Sequence, residues 1–269
     1  MHPPDLARHA KRTSGREPVL REDPDLLEEL DPHGARTAAA TATALVAEVP
    51  RGPWQPPERV EGRGAPGLLL LGGVVVRRSW LAGRAAPELL GQGDVLRPWQ
   101  HDGEDGLVPC CVTWEVLEPT RIAILDARFA HAIMPWPAVM TALLGRSLRR
   151  ARWQGIGRLI GGMPRVDQRL LVLFWHLAER WGRVTRDGVL VPLDLTHAAV
   201  AELVSARRPS VTTALGELSD AGILLRPGRG RWILTPAARE ALDTLCAVPS
   251  LAPAAAGAAP GGLAADAAA

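Results

Sequence analysis

The chain has 269 residues, a length typical of about two domains. Its hydrophobic content of 47% suits an ordinary folded protein, and its formal net charge of +2 points to no class of partner. The longest apolar run, residues 67–76, is too short to span a bilayer as a helix, and three cysteines make no disulfide framework, so we expect a reduced, cytoplasmic chain without a membrane segment.

The N-terminal region is polar and irregular, so we expect residues 1–24 to be disordered. A short helical turn is predicted over residues 25–30. Residues 36–47 fit either a helix or the entry to a sheet.

Five short strand-like runs follow, separated by glycine, proline and aspartate. They are residues 68–71, 74–78, 88–90, 111–116 and 121–125. Regular short strands with such breaks indicate a β-sandwich or a jelly roll. Asp126 is placed to cap a helix that begins near Ala127.

One long helix is predicted from residue 137 to about 160. One side carries a broad apolar stripe, and much of the other carries arginines: Arg146, Arg149, Arg150, Arg152 and Arg158. Gly155 and Gly157 weaken the helix in isolation, which indicates support from outside. It is either a dimer helix packed on its symmetry mate, which we favour, or a helix packed on its own sheet.

A helix-turn-helix pattern follows near the end of the chain. Thr196 can cap a helix over 197–204, residues 205–207 make a turn, and a second helix spans about 207–219 and ends at Gly222. Two apolar runs over 223–234, joined by a Pro-Gly-Arg-Gly turn, then predict a wing. Proteins with this motif commonly read paired half-sites, which supports the dimer interpretation of the long helix.

The start of the second helix is the part that would enter the major groove of DNA. We predict that Arg208, Ser210 and Thr213 contact base edges. The predicted phosphate contacts are Arg207, Thr212, Arg229 and Arg231. Residues 205–235 carry five arginines and two acids, which suits a phosphate surface. The alternative is a small helical domain with solvated arginines.

Residues 163–240 resemble the C-terminal domain of the CRP/FNR family of bacterial transcription regulators. Residues 195–215 fall in the family's register without a gap, residues 167–178 resemble the helix that opens the domain, and residues 189–193 resemble its short strand. The resemblance implies DNA binding.

The same resemblance implies a changed target sequence. In the family, an arginine at the position of Arg208 reads a guanine, an acid commonly follows it, and a second arginine lies five residues on. Here those two positions are Pro209 and Thr213, and the usual turn glycine is Ser205.

The N-terminal half resembles the family more loosely. Residues 89–96 are similar to the Gly-x-Gly-Asp turn of the cyclic-nucleotide-binding β-roll, and residues 114–129 to its closing strands and following helix. The resemblance implies an α+β chain with a double-stranded β-helix (jelly-roll) domain and a C-terminal winged helix-turn-helix. The implied parts are a disordered 1–24, a β-roll over 25–135, a dimerisation helix over 136–162, the DNA-binding domain over 163–246 and a disordered Ala/Pro/Gly tail over 247–269.

The effector site departs from the family's pattern. Members that bind cyclic AMP carry Gly-Glu-Leu soon after the turn and an arginine on a later strand that neutralises the phosphate. Residues 97–106 lack Gly-Glu-Leu, and residues 107–119 contain no arginine. Arg97 could take the place of the phosphate-neutralising arginine, but its spacing from the turn does not require that role. We therefore predict no cyclic nucleotide and no other cofactor, with the effector unknown.

Other sensing chemistries find little support. An iron–sulfur sensor of this family needs cysteines largely before the β-roll, and none precedes Cys110. His101, His131 and Cys110 are candidate haem ligands, although each suits a surface or core role better.

The remaining sensor candidates are thiols and tryptophans. Cys110 and Cys111 would respond to oxidation if one thiol had a lowered pKa. Trp99, Trp114 and Trp136 would suit a small-molecule cavity. We favour the simpler interpretation of both sets, as strand and core residues.

The sequence therefore predicts a homodimeric regulator that binds double-stranded DNA, with RNA polymerase as the partner that activation would require. The alternative is a winged-helix scaffold that binds a protein. We predict no enzyme, because the sequence shows no Ser/His/Asp set, phosphate loop or metal spacing.

Overall fold

The computed structural model describes residues 12–57, 60, 64–98 and 110–247. In this part the chain forms an antiparallel β-roll, a long helix and a C-terminal helix-turn-helix domain with its own small sheet. This order confirms the predicted α+β class. Residues 1–11 and 248–269, which we predict to be disordered, lie outside the described part.

The prediction of disorder is wrong for residues 12–24. Strand β1 (Arg12–Glu17) pairs antiparallel with β2 (Ala44–Val49), and a 3₁₀ turn follows at Val19–Arg21. Val19 and Leu20 are fully buried in the first domain. Two adjacent apolar residues thus anchor a segment whose polar composition suggested disorder.

Residues 24–49 contain both of the elements that the sequence left open. A second 3₁₀ turn (Pro24–Leu27) leads to helix α1 (Pro32–Thr41), and β2 follows at once. The Asp31 carboxylate accepts hydrogen bonds from the backbone N–H groups of His33 and Gly34, which fixes the start of α1.

The β-roll is a seven-stranded antiparallel sheet. Besides β1 and β2, its strands are β3 (Gly52–Trp54), β4 (Gly67–Leu81), β5 (Arg84–Gly91), β6 (Val95–Leu96) and β7 (Cys111–Leu125). The strand order is β1-β2-β7-β4-β5, and in addition β3 pairs with β7 and β6 pairs with β4.

The predicted strand breaks within β4 and β7 are bulges in two continuous 15-residue strands. Gly73 has a φ of +86°, and a Cβ there would lie 2.4 Å from Thr120 Oγ1 and 2.5 Å from the Pro119 carbonyl oxygen. A glycine is therefore required where the two strands bend together.

Two helices connect the β-roll to the second domain. Helix α2 (Ala127–Ala132) begins at Asp126, whose carboxylate accepts from the Phe129 backbone N–H, as predicted. Helix α3 (Pro137–Gly162) confirms the predicted long helix. No helix in the described part of the chain has both the length and the apolar content needed to cross a membrane.

The second domain begins with helix α4 (Val166–Trp181). Its other elements are β8 (Arg183–Thr185), β9 (Gly188–Val191), α5 (His197–Leu203), α6 (Arg208–Asp220), β10 (Leu224–Gly228), β11 (Arg231–Leu234) and α7 (Pro236–Leu245). The four strands form one sheet in the order β10-β11-β9-β8. Phe174 and Trp232 are fully buried at the centre of its core.

The core of the second domain continues into the β-roll. Val74, Val76 and Leu89, on β4 and β5, belong to the same buried cluster as the residues of α4, α5 and α6. The two domains are therefore packed against one another through an apolar contact.

Candidate nucleic-acid interface

Helices α5 and α6 are joined by the tight turn that the sequence predicts. The Thr196 hydroxyl accepts from the Ala199 backbone N–H and caps α5. Ser205 has a φ of +52°, a left-handed conformation that costs a residue with a Cβ about 1 kcal/mol or more. The Ala206 N–H then bonds to the Ala201 carbonyl oxygen and closes the turn.

Helix α6 has one buried face and one exposed face. Val211, Ala214, Leu215 and Leu218 are buried in the core of the domain. The exposed face carries the predicted contacts on this helix, Arg207, Arg208, Ser210, Thr212 and Thr213. The fold thus brings all five together on the surface that would enter a groove.

The two threonine hydroxyls on this face are held by the backbone of α6. Thr212 Oγ1 donates to the Arg208 carbonyl oxygen at 3.1 Å, and Thr213 Oγ1 donates to the Pro209 carbonyl oxygen at 3.3 Å. Both oxygens keep lone pairs that can accept from a base or a protein donor.

His197 is a residue of this surface that the sequence analysis missed. Its Nδ1 lies 3.1 Å from Thr212 Oγ1, so the first helix supports a side chain of the second. Burial lowers the pKa of His197, and the nearby charges of Arg226 and Arg208 lower it further. Both effects favour the neutral form of the ring. Only the helical register, which places position 197 at the start of α5, could have indicated it.

The wing places its arginines in different environments. Arg229 Nε bonds to Asp194 Oδ2 at 2.8 Å while most of its side chain is exposed, and Arg231 is also exposed. Arg226 instead stacks on Trp232, with 4.5 Å from Cζ to the ring centroid, and bonds to the Leu195 carbonyl oxygen. All three arginines are exposed, but Arg226 is held against the base of the wing, whereas Arg231 and most of the Arg229 side chain face solvent.

Helix α5 is also attached to the β-roll by an ion pair. Arg78, on β4, bonds to Glu202 of α5 and to Glu115 of β7, each at 2.7 Å. Burial lowers the pKa of Arg78, but its hydrogen bonds to the two carboxylates outweigh this effect and raise the pKa above its usual value. The guanidinium therefore stays charged and links the domains.

The Gly-x-Gly-Asp turn contributes a second attachment. Asp94 Oδ2 accepts from the Gly91 backbone N–H at 2.9 Å and from Arg180 of α4 at 2.6 Å. Burial raises the pKa of Asp94, an effect that the charge of Arg180 opposes. The Asp94 carboxylate thus links the β-roll to α4 of the second domain.

A buried cluster joins β5 to α3. Glu88 accepts two hydrogen bonds from Arg150, at 2.6 and 2.8 Å, and Arg77 lies 3.8 Å away. Arg146 likewise pairs with Asp23 at 2.6 Å. Two arginines of the predicted arginine-rich face of α3 thus form ion pairs with acidic residues that are distant in sequence.

The candidate sensor residues in the described part do not form one site. Trp114 packs edge-on against Trp54 inside the β-roll, whereas Trp136 packs on a separate cluster near α1. His131 and the thiols of Cys110 and Cys111 are exposed. His101 and Trp99 lie outside the described residues. Within that part, the structure has no group of three or more histidine, cysteine or acidic residues that would suit a metal ion.

The architecture joins an antiparallel β-roll, through a long helix, to a winged helix-turn-helix domain. Residues 168–243 match the family model of the Crp-like helix-turn-helix domain. No curated protein matches the chain by sequence. The chain thus carries a Crp-like helix-turn-helix domain, which confirms the resemblance to CRP/FNR regulators over these residues.

Solved structures support the same fold over most of the chain. A cyclic nucleotide-binding domain containing protein from Listeria monocytogenes is 15% identical, with a TM-score of 0.58 over 80% of this chain and 97% of its own. FixK2 from Bradyrhizobium japonicum is 16% identical, with a TM-score of 0.54 over 76% and 98%. A CRP/FNR-family regulator from Thermus thermophilus is 19% identical, with a TM-score of 0.51 over 72% and 96%.

Proposed function

We propose that the protein is a sequence-specific transcription regulator that binds DNA as a homodimer, with α6 in the major groove. The observation that carries this proposal is the exposed N-terminal face of α6, whose opposite face is fixed in the core. In this proposal Arg208, Ser210 and Thr213 contact base edges.

The phosphate contacts surround this reading face. Arg207, the residue before α6, and Thr212, on α6, flank it, and Arg229 and Arg231 extend from the wing. Contacts of this kind fix the register of the protein on the duplex without reading its sequence.

The proposed homodimer rests on an apolar stripe of α3 that is mostly exposed in the single chain. Leu144, Leu148 and Leu159 are 61%, 73% and 74% exposed, and they share one face of the helix. A Cβ added at Gly155, on the same face, would meet no atom within 4 Å. A second copy of α3 would cover this stripe and place two reading helices on paired half-sites.

Control by cyclic AMP is not part of the proposal. The described carboxylates around the β-roll turn, Asp94 and Glu88, are engaged by Arg180 and Arg150. The protein is controlled either by an unidentified small molecule or by no effector. If the protein activates transcription, RNA polymerase is its expected partner. A winged helix that binds only a protein is disfavoured by the net charge of +3 over residues 205–235.

The test is selection of bound sites from random duplex DNA, with and without cyclic AMP, followed by affinity measurement on the selected site. We expect a two-fold symmetric motif. Arg208→Ala should cost about 1–3 kcal/mol on that site by loss of a bidentate base contact, and little on random DNA.

The matched control is Arg183→Ala, which removes an exposed arginine of the same domain on β8, outside the reading face. Equal losses for both variants would contradict the role of Arg208. Absence of any enriched motif in both conditions would contradict sequence-specific binding.

A further inference from the structure

One carboxylate holds two arginines from different domains beside the wing. Asp194, in the loop between β9 and α5, lies 2.8 Å from Arg229 Nε and 3.6 Å from Arg51 Nη1 through the same oxygen, Oδ2. Arg51 belongs to the turn between β2 and β3 of the β-roll. A cation of the first domain therefore reaches the edge of the predicted DNA-binding surface.

Both sides of this contact are held by ordered backbone. Gly52, with a φ of +130°, turns the chain after Arg51 and pairs with Val116 on β7. On the other side, the Leu193 carbonyl oxygen accepts from Trp232 Nε1 at 3.2 Å, which fixes the loop that carries Asp194. The position of Arg51 beside the wing is thus a property of the fold.

The charges at this point are unbalanced. Two guanidinium groups share one carboxylate, which leaves one positive charge, and their side chains are 54% exposed for Arg51 and 74% for Arg229. Ion pairs this exposed contribute little and exchange readily with other anions. A phosphate oxygen suits a guanidinium at least as well as a carboxylate does.

We propose that Arg51 is a further contact to the DNA phosphate backbone, supplied by the β-roll, and that phosphate displaces Asp194 from Arg51 and Arg229. This inference rests on the proposed DNA binding. It extends the protein–DNA interface beyond the winged helix to a turn in the first domain.

The test measures binding of the full chain to the selected duplex and to a random duplex, over a series of salt concentrations. Arg51→Gln should weaken binding several-fold on both duplexes and reduce the slope of log affinity against log salt by about one unit per protomer. Arg51→Lys keeps the charge and should keep the slope. Asp194→Asn should strengthen binding on both duplexes.

The control is Arg36→Gln, which removes the same charge from the exposed face of α1, a helix that contacts the N-terminal 3₁₀ turns. If Arg51→Gln behaves like Arg36→Gln while the wild-type protein binds with normal salt dependence, the role of Arg51 is refuted and the proposed function stands. If the wild-type protein shows no salt-dependent binding to either duplex, both are refuted.

Discussion

Leu148 of α3 gives the most direct test of the proposed dimer. Its side chain is 73% exposed in the single chain, and full burial of a leucine is worth about 1.5–3 kcal/mol. Burying the exposed part in each of two protomers therefore contributes about 2–4 kcal/mol to association. Leu148→Ala should remove most of this and raise the dimer Kd by about 10–100-fold. Leu148→Asp should leave the protein monomeric at micromolar concentration.

The measurement is sedimentation equilibrium over a range of protein concentrations, with circular dichroism to show that each variant is folded. Val184→Asp is the matched control, because Val184 is 90% exposed on β8 and lies far from α3 in sequence. We expect no change in Kd for this variant. A wild-type monomer, or a Leu148→Asp variant that dimerises with the wild-type Kd, would refute the reasoning.

Three further predictions concern stability and domain attachment. Ser205→Gly should stabilise the protein by about 0.5–1 kcal/mol, measured by urea unfolding, because glycine adopts a positive φ without the cost of a Cβ; a lower urea midpoint would contradict this. His176 stacks on Trp153, with 3.4 Å between the ring centroids. Burial lowers the pKa of His176 below its usual value of 6.5, and the charge of Glu179 opposes this effect. As the pH drops below about 6.5, the unfolded chain therefore binds a proton more readily than the folded chain does, and the free energy of unfolding should fall. His176→Phe should flatten that decline between pH 7.5 and 5.5, and an unchanged profile would exclude His176 as its source. Glu202→Gln, which weakens the pairing with Arg78, should increase hydrogen exchange in α5 without unfolding the chain.

The elements predicted best are those set by local rules. Asp126 and Thr196 cap the helices that they were predicted to cap, because capping depends on a side chain and backbone groups within three residues. The turn at Ser205 and the long helix α3 follow equally from nearby residues. The helix-turn-helix and the exposed face of its second helix could therefore be predicted from the sequence alone.

The features that sequence reasoning missed depend on distant partners. The sequence places Arg150 on the arginine-rich face of α3 but does not indicate its carboxylate partner, Glu88, which lies 62 residues earlier. The burial of Val19 and Leu20 likewise requires the β-roll to be present. Composition indicates how polar a segment is, but it does not show which surface will cover its few apolar residues.

The contacts between the domains bear on how any effector would act. Helix α5 is tied to β4 by Glu202 and Arg78, and α4 is tied to the β5–β6 turn by Arg180 and Asp94. The position of α6 is therefore set by the sheet as well as by the short connection that follows α3. A ligand that displaced β4 or β5 would shift α5, and α6 would move with it because the two helices share one buried core. Regulation through the β-roll thus needs no change in α3, and an effector that left the proposed dimer intact would still move α6.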